Sequence, residues 1–357
     1  MMFVGAFVGV GHVLAQDQAQ EMHTVTDMYG RQVEIPKEIK SVVSIGGTAT
    51  RMVVYMNKTD MIVGIDKNNH DYNLPTRDFA YVNHDKFKEL AIVGEGGNSS
   101  IYSAYPEEII KVNPDIIISG FSSEQMIDQL QEETGIPTIG LTHSAGFFEE
   151  DFFETLDLLG QIFDDQERAT ELTEYIHQAQ EDLSSRVKDI AEEDRPKVYV
   201  GGVNWKGAHG FTGTSANFGP FVALNINNLA DTLQDTGFIE LDFEKIIEWA
   251  PDYIFVEPQN MDLIQSEYQT KPDAFEALEA IQEDRLYSFP SYINNNINFT
   301  YSLIGAYYAG QVIYPEEFSD IDLETKANEI MEMFLGVGYF EELEKNNMKY
   351  GKTSINE

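Results

Sequence analysis

Short runs of consecutive apolar residues alternate with segments of helical periodicity along the chain from residue 24 onward. The runs predict strands over residues 41–45, 62–65, 115–119 and 137–141. Strands that are apolar on consecutive positions are typical of parallel sheets buried on both faces. A helix is predicted over 123–134, because Gly135 and Pro137 follow it as stop signals before the next strand. The pattern therefore predicts an α/β fold.

A long helical stretch interrupts this alternation between about residues 149 and 193. In its second part, apolar residues recur at steps of three and four, at Ala169, Leu172, Ile176, Ala179, Leu183, Val187 and Ile190. They predict a helix over 166–192, which would be roughly 40 Å long at 1.5 Å per residue. Asp164 or Asp165 is its predicted N-cap. A strand over 197–202 then opens a second α/β alternation.

Two segments that start 137 residues apart share one pattern. Residues 107–118 read EEIIKVNPDIII, and residues 244–255 read EKIIEWAPDYIF. In both, a helix carries paired isoleucines, breaks at a proline and passes through an aspartate into an apolar strand. Such junctions also recur by chance, but an offset of this size corresponds to a domain. The two halves of the chain are therefore predicted to follow one plan.

Composition narrows the classes of function. The 357 residues include 61 Asp and Glu against 23 Lys and Arg, and the net charge of −38 repels nucleic acid and anionic lipid. The absence of cysteine excludes disulfides, thiolate metal sites, a cysteine nucleophile and a lipid-modified N-terminal cysteine. The first fifteen residues form a short apolar run ending at Ala15, which predicts a signal peptide and export rather than a buried N-terminal strand.

The opening segment TVTDMYGRQVEIPKEIKSVVSI (24–45), the two repeat segments and the long helix together resemble the class III substrate-binding proteins of ABC importers. This group delivers ferric siderophores, haem or cobalamin. The resemblance implies two Rossmann-like α/β lobes with mainly parallel sheets, joined by one long rigid helix, with the ligand in the cleft between them. It implies no catalysis and no cofactor.

The resemblance also implies a division of the chain and a set of partners. The division is a signal-peptide remnant and linker (1–23), an N-terminal lobe (24–148), a helical segment (149–195), a C-terminal lobe (196–346) and a tail (347–357). The expected protein is an exported, periplasmic or cell-surface monomer that docks on a permease dimer in the membrane. Its expected ligand is an iron chelate or a corrinoid.

Candidate ligand-binding residues lie in loops beyond the predicted strands, because parallel α/β sheets bind ligands at the carboxyl ends of their strands. The loop 204–215, NWKGAHGFTGTS, offers the Trp205 ring, the Lys206 cation and the His209 imidazole, unless it is only a glycine-rich surface loop. Arg51, one turn into the first helix, is a candidate for binding a carboxylate or phosphate, or else a solvated charge. Tyr102, Tyr292 and Asn294 are further candidates.

Two other pairs of residues have candidate roles. The seven histidines are scattered without a metal signature, although His143 and His209 would converge if they faced each other across the cleft. The resemblance implies that Glu107 and Glu244, at matching positions of the repeat, dock on the permease. Each also lies in the first turn of a predicted helix, where a carboxylate stabilises the helix dipole without any partner.

Two alternative functions stay open. One is a binding protein of the same fold for a bare oxyanion, such as molybdate or tungstate, or for a simple metal ion. An oxyanion site would be small and rich in backbone amides, with Arg51 or Lys206 as the counter-charge, whereas a chelate site would be wide and aromatic. The other is an exported hydrolase, which the absence of GxSxG and P-loop motifs disfavours.

Overall fold

The computed structural model describes residues 21–97, 99–142 and 148–355. The predicted signal peptide therefore lies outside the described residues. The first part of the chain contains β1 (Met22–Thr26), β2 (Gln32–Pro36), β3 (Val42–Ile45), α1 (Gly47–Tyr55), β4 (Ile62–Ile65), α2 (Lys67–His70), α3 (Asp78–Val82), α4 (His84–Phe87), β5 (Ala91–Ile92), α5 (Pro106–Val112), β6 (Ile116–Ser119), α6 (Glu124–Thr134) and β7 (Thr138–Gly140). Two long helices follow, α7 (Glu150–Phe163) and α8 (Gln166–Val187).

The remainder of the chain returns to alternating strands and helices. Its elements are β8 (Lys197–Gly201), β9 (Gly213–Ala216), α9 (Gly219–Val222), β10 (Asn227–Asn228), β11 (Gly237–Glu240), α10 (Phe243–Trp249), β12 (Tyr253–Val256), α11 (Met261–Thr270), α12 (Pro272–Glu276), α13 (Glu279–Gln282), β13 (Leu286–Ser288), α14 (Phe299–Ile313), α15 (Leu323–Leu335), α16 (Phe340–Lys345) and β14 (Gly351–Lys352).

Two five-stranded sheets form the centres of the two lobes. The N-terminal sheet has the order β5-β4-β3-β6-β7, and all of its strands are parallel. The C-terminal sheet has the order β10-β8-β12-β13-β14, and only β14 is antiparallel to its neighbour. The strands β3 and β6 are buried at every position, which accounts for their continuous apolar sequences. The predicted α/β class with mainly parallel sheets is confirmed.

The sequence repeat has the same local structure in both lobes. Helices α5 and α10 each end at a residue with left-handed backbone, Asn113 (φ 48°) and Ala250 (φ 48°), which is followed by the proline. The aspartate after each proline then accepts a backbone N–H from the start of the neighbouring strand. The Asp115 carboxylate accepts from Ser41 N at 2.9 Å, and the Asp252 carboxylate accepts from Lys197 N at 2.7 Å. The sequence shared by the two repeat segments thus places each strand in its sheet in the same way.

The helical segment between the sheets differs from the sequence prediction at its end. Helix α8 starts where predicted, capped by the Asp165 side chain, which accepts from Arg168 N. It ends at Val187 rather than at residue 192, and so is about 33 Å long. Residues 188–190 turn instead, with Ile190 N donating to Val187 O at 3.2 Å. The apolar periodicity continues through Ile190 because this side chain still packs on the core from the turn.

Helix α8 packs on helices from both parts of the chain. The Arg168 guanidinium donates to the Tyr55 carbonyl of α1 at 2.9 and 3.0 Å, and also to the Met333 carbonyl of α15. One continuous apolar core includes side chains of α1, α7, α8, α14 and α15. Helix α8 therefore packs on its neighbours along its length, from Ala169 to Val187. The domain boundaries proposed above stay predictions, and none of the helices described is long and apolar enough to cross a membrane.

Candidate functional site

A loop of the C-terminal lobe reaches the N-terminal lobe and closes the cleft. This loop, residues 291–298, is called the asparagine loop below; it follows β13 at the carboxyl edge of the C-terminal sheet. Asn295 and Asn296 have left-handed backbone (φ 50° and 74°), which asparagine tolerates better than most residues. The Asn296 amide donates to Thr48 Oγ1 at 2.6 Å, and the Asn295 amide donates to Asn69 Oδ1 at 3.1 Å.

The first turn of α1 is shaped to receive this loop. A Cβ atom at Gly47 would lie 2.3 to 2.6 Å from atoms of Asn295, so only glycine permits the approach. The loop therefore lies directly against the N-terminal end of α1, where helix amides favour negatively charged or electron-rich groups. The side-chain amide and the backbone carbonyl of Asn295 occupy this surface.

Arg51 is a buried connection between the lobes, with 1% of its surface exposed. Its Nε donates to Asp78 Oδ1 at 3.2 Å. Its other nitrogens donate to the carbonyls of Asn295 and Asn294 at 3.0 and 3.1 Å, and to Asn298 Oδ1 at 2.9 Å. The alternative of a solvated charge is therefore wrong, because the helix face that carries Arg51 is covered by the asparagine loop.

Arg77 is a second buried cation in the same place, and 4% of its surface is exposed. Both Nε and Nη2 donate to Asn294 Oδ1 at 3.1 Å, while Nη1 donates to the Asn68 carbonyl and to Asn69 Oδ1 at 2.6 and 3.0 Å. In the described parts of the chain, no carboxylate forms an ion pair with it. Burial lowers the pKa of Arg77 to about 10, so it stays charged at neutral pH. All the hydrogen bonds of this buried positive charge thus go to neutral oxygens, while the Tyr72 ring lies 3.8 Å from its guanidinium and the Asp66 and Asp78 carboxylates attract it without forming an ion pair.

Two buried aspartates complete the charge distribution around the arginines. Asp78 pairs with Arg51 and also accepts hydrogen bonds from the Tyr55 hydroxyl at 2.5 Å and the Thr300 hydroxyl at 2.9 Å. Asp66 accepts from Gly46 N at 3.0 Å. Burial raises the pKa of Asp66 to about 6, although the hydrogen bonds it accepts oppose this shift. Asp78 therefore neutralises Arg51 directly, whereas Arg77 receives no such partner.

A small cavity lies beside these groups, between the lobes. It is lined by Thr48, Arg51, Met52, Thr142, Phe152, Thr155, Asn296, Ile297 and Phe299, and its volume is about 20 Å³. This volume holds about one water molecule. The Thr142 hydroxyl oxygen is buried without a hydrogen-bond partner among the residues described. The cleft is therefore narrow at this point, with polar and apolar side chains and the buried cation of Arg51 on its wall.

The loop over 204–215 lies in the C-terminal lobe, and its side chains contact one another. The Trp205 ring is 43% exposed and parallel to the Phe238 ring, with 6.5 Å between centroids. Lys206 Nζ lies 5.5 Å from the centre of the Trp205 ring. His209 Nε2 is 2.9 Å from the Trp205 carbonyl, and Nδ1 is 3.4 Å from Glu240 Oε2. A role for Trp205, Lys206 and His209 in ligand binding stays a prediction.

The other predicted ligand residues have structural contacts of their own. The Tyr102 hydroxyl donates to Glu133 Oε2 at 2.5 Å. The buried Tyr292 hydroxyl accepts from Gly219 N at 3.2 Å, and burial raises the pKa of Tyr292 to about 12. Asn294 binds Arg77, as described above. His143 lies outside the described residues, and no group of three metal-binding side chains occurs within them.

The two predicted docking residues are both exposed and occupy equivalent places. Glu107 lies in the first turn of α5, and Glu244 lies in the first turn of α10. Each lobe thus presents one carboxylate at the same position of the repeat. The permease-docking role itself stays a prediction.

Sequence analysis did not identify Arg77, Asp78 or Asn298 as parts of the cleft. Arg77 binds Asn294, which is 217 residues away in the chain, so no local pattern marks the pair. Glu257 had a usable signal: it is the first residue after the apolar strand β12, at the carboxyl edge of its sheet.

Comparisons with known proteins agree with this architecture. Residues 42–293 match the family described as periplasmic binding protein. The molybdate-binding protein MolA of Haemophilus influenzae is 20% identical over 341 residues, which cover 88% of this chain and 91% of MolA. The structure of MolA bound to molybdate covers 89% of this chain and 99% of that chain, with a TM-score of 0.68 and 18% identity.

Two further structures show the same fold. A periplasmic solute-binding protein from Veillonella parvula has a TM-score of 0.70 at 20% identity and covers 92% of this chain and 99% of its own. The haem-binding protein HmuT has a TM-score of 0.55 at 15% identity and covers 87% of this chain and 96% of its own. The family and the fold together confirm the predicted two-lobe receptor and the prediction that it is not an enzyme. The chain belongs to the periplasmic binding protein family and is a class III substrate-binding protein of an ABC importer.

Proposed function

We propose that the protein captures a small oxyanion, with molybdate as the first candidate, in the cleft between its lobes. The observation that carries this proposal is Arg77, a buried guanidinium whose hydrogen-bond acceptors are all neutral. A buried charge without a partner is costly. An anion that replaces Asn294 Oδ1 on the Nε and Nη2 edge of Arg77 would supply the missing charge.

The size and chemistry of the cleft favour an oxyanion over a chelate. The cavity of about 20 Å³ is small, and its wall has three threonines and Arg51 beside four apolar side chains. We infer that a tetrahedral oxyanion fits there once the asparagine loop moves, whereas a ferric siderophore, haem or cobalamin is too large unless the lobes separate. The exposed aromatic ring expected for a chelate, Trp205, is stacked within its own lobe. MolA binds molybdate, and this chain resembles it over most of its length.

Delivery to the permease follows from membership of the family, and we infer its contacts. In this proposal the protein is exported to the periplasm or cell surface, acts as a monomer, and uses Glu107 and Glu244 to orient it on the permease dimer. Both side chains are exposed, and one lies on each lobe. An exposed ion pair contributes only about 0.2–1 kcal/mol, so the two carboxylates set orientation and the rest of the surface supplies affinity.

Isothermal titration calorimetry tests the ligand. Molybdate, tungstate, sulfate and phosphate are compared with a ferric siderophore, haem and cobalamin, all at one salt concentration. Molybdate or tungstate is expected to bind with a dissociation constant in the micromolar range or below, or about −8 kcal/mol. Binding of a chelate with no heat from any oxyanion would overturn the proposal and restore the iron or corrinoid ligand that the sequence favours.

Two charge-removing variants locate the site in the same titration. Arg77→Gln is expected to weaken oxyanion binding at least about 30-fold, because truncating a buried charged partner costs about 2–5 kcal/mol. Lys206→Gln removes an exposed charge from the other candidate loop and is the matched control, with affinity unchanged. Far-ultraviolet circular dichroism of both variants shows whether they fold. Loss of affinity in Lys206→Gln alone would move the site to the loop over 204–215.

A further inference from the structure

Glu257 is a fully buried carboxyl group at the carboxyl edge of the C-terminal sheet. It is the first residue after β12, and none of its surface is exposed. The neighbouring strand β13 leads into the asparagine loop, so Glu257 lies on the edge from which that loop reaches Arg51 and Arg77. The oxyanion proposed above would meet the C-terminal lobe at this edge.

The hydrogen bonds of Glu257 distinguish its two oxygens. Oε2 accepts from Asn204 N at 3.0 Å and from Asn204 Nδ2 at 2.6 Å. Oε1 is buried and has no hydrogen-bond partner in the described part of the chain. The Ser291 hydroxyl lies near the carboxyl group and opposes the rise of its pKa, while its own hydrogen bonds run to the backbone of Ile293, at 3.3 Å in both directions.

A second unpartnered group lies two residues further along the chain. Gln259 Oε1 accepts from Ser291 N at 3.3 Å, which fixes the orientation of the amide. Its Nε2 is therefore the donor end, and this nitrogen is buried without a partner among the described residues. This edge of the sheet thus contains two buried polar atoms without hydrogen-bond partners among the described residues. They are the donor Gln259 Nε2 and the carboxyl oxygen Glu257 Oε1.

The surroundings favour the neutral form of Glu257. No basic side chain of the described ranges forms an ion pair with it. The titratable groups on the elements around it include Lys206 and His209 in the loop of Asn204, Tyr292 in the asparagine loop, Asp262, Glu267 and Tyr268 on α11, Tyr199 on β8, Tyr287 on β13, and Lys349 near Asn347, which bonds the Pro258 carbonyl. Burial raises the pKa of Glu257 to about 8, although the hydrogen bonds from Asn204 oppose this shift.

We propose that Glu257 binds the oxyanion as a neutral carboxylic acid, with its O–H at Oε1 donating to a ligand oxygen next to the amide of Gln259. Asn204 donates twice to Oε2 and so leaves the proton on Oε1. The O–H of Glu257 and the Nε2 amide of Gln259 are then two donors without acceptors, and every oxygen of an oxyanion can accept a hydrogen bond. Arg77 supplies the positive charge from the opposite lobe. This inference rests on the proposed function, and it assigns the contacts of the C-terminal lobe.

The inference predicts a pH dependence that other arrangements do not. The acid must be protonated to donate, and once ionised it repels an anion. Molybdate affinity should therefore be constant below pH 7 and fall above pH 8. With a pKa of about 8, the dissociation constant at pH 9.5 should be about 30-fold higher than at pH 7, if only the neutral form binds.

The experiment is a molybdate titration from pH 6.5 to 9.5 with wild-type protein, Glu257→Gln and Glu240→Gln. Glutamine keeps an acceptor for Asn204 and a donor at the position of Oε1, so Glu257→Gln should bind within about threefold of wild type at pH 7 and lose the decline at high pH. Glu240→Gln removes an exposed acid of the same lobe and should keep the wild-type profile. Each variant is checked by circular dichroism.

The outcomes distinguish a failure of the proposed role of Glu257 from a failure of the proposed function. A flat wild-type profile, an equal decline in Glu257→Gln, or a loss of more than tenfold at pH 7 in folded Glu257→Gln overturns this inference and leaves the proposed function standing. No wild-type binding to any oxyanion at any pH overturns both. An infrared difference spectrum at pH 7 is independent of ligand: wild type minus Glu257→Gln should show the C=O band of a protonated carboxyl, and its absence also contradicts the inference.

Discussion

The ion pair between Arg51 and Asp78 should be among the most stabilising polar contacts of the protein. Both side chains are buried, with 1% and 0% of their surfaces exposed. Arg51→Met would leave Asp78 without its cation and would leave the carbonyls of Asn294 and Asn295 without donors. Breaking a buried pair in this way costs about 3–5 kcal/mol. We therefore expect Arg51→Met to lower the free energy of unfolding by about that amount.

A double-mutant cycle measures the pair itself. Asp78→Asn keeps the shape of the side chain and removes its charge, so the methionine in Arg51→Met/Asp78→Asn no longer faces a buried carboxylate. The double variant should be at least about 1 kcal/mol more stable than the sum of the single effects predicts. Urea unfolding at pH 7, followed by tryptophan fluorescence and circular dichroism, gives all four free energies.

A surface pair provides the control for this cycle. Lys245 and Glu248 are 3.1 Å apart on α10, with 35% and 70% of their side-chain surfaces exposed. Lys245→Met should cost no more than about 1 kcal/mol. Additive effects at Arg51 and Asp78, or a cost at Arg51 as small as at Lys245, would refute the reasoning that these residues form a stabilising buried ion pair.

Three further outcomes are expected. Small-angle scattering with and without ligand should show little change in the radius of gyration, because α8 packs on both α1 and α15; a large decrease would contradict this. Charge reversal at Glu107 and Glu244 together should impair transport by the cognate permease while leaving ligand affinity unchanged, and a loss of ligand affinity would exclude a pure docking role. The raised pKa of Glu257 means that the folded protein keeps a proton which the unfolded chain has lost, so this group lowers stability by about 1.4 kcal/mol per pH unit between its unfolded and folded pKa values. Wild type should therefore lose stability relative to Glu257→Gln as the pH rises from 5 to 7.5 in urea unfolding, and parallel curves would show that the group is ionised in both states.

Local sequence signals predicted the elements well. The strand over 62–65 is found at the predicted residues, and the helix predicted over 123–134 has Ser123 as its N-cap and Gly135 in the left-handed conformation at its end. These features depend on neighbouring residues, and apolar runs and glycine stops report them directly. The end of α8 was predicted too late because Ile190, which lies in a turn, still packs on the core. The spacing of apolar residues does not distinguish such a turn from a continued helix.

The binding site was less predictable, for a physical reason. Arg51 was identified because it follows a strand and lies near a helix N-terminus, which is a local pattern. Its partners in the asparagine loop are more than 240 residues away, and that loop depends on two left-handed asparagines whose conformation the sequence does not specify. Arg77 lies in an irregular segment before the short helix α3, so no periodicity marks it as buried. Contacts between loops of different lobes arise only when both sheets are in place.

The central claim is that an oxyanion binds between the two lobes with Arg77 as its cation. The most direct test is a crystal grown with molybdate and measured at the molybdenum absorption edge. We expect one strong anomalous peak in the cleft, within hydrogen-bond distance of the Arg77 guanidinium and of Glu257 Oε1, with the asparagine loop displaced. A molybdenum peak at the loop over 204–215, or none in the cleft at saturating molybdate, would contradict it.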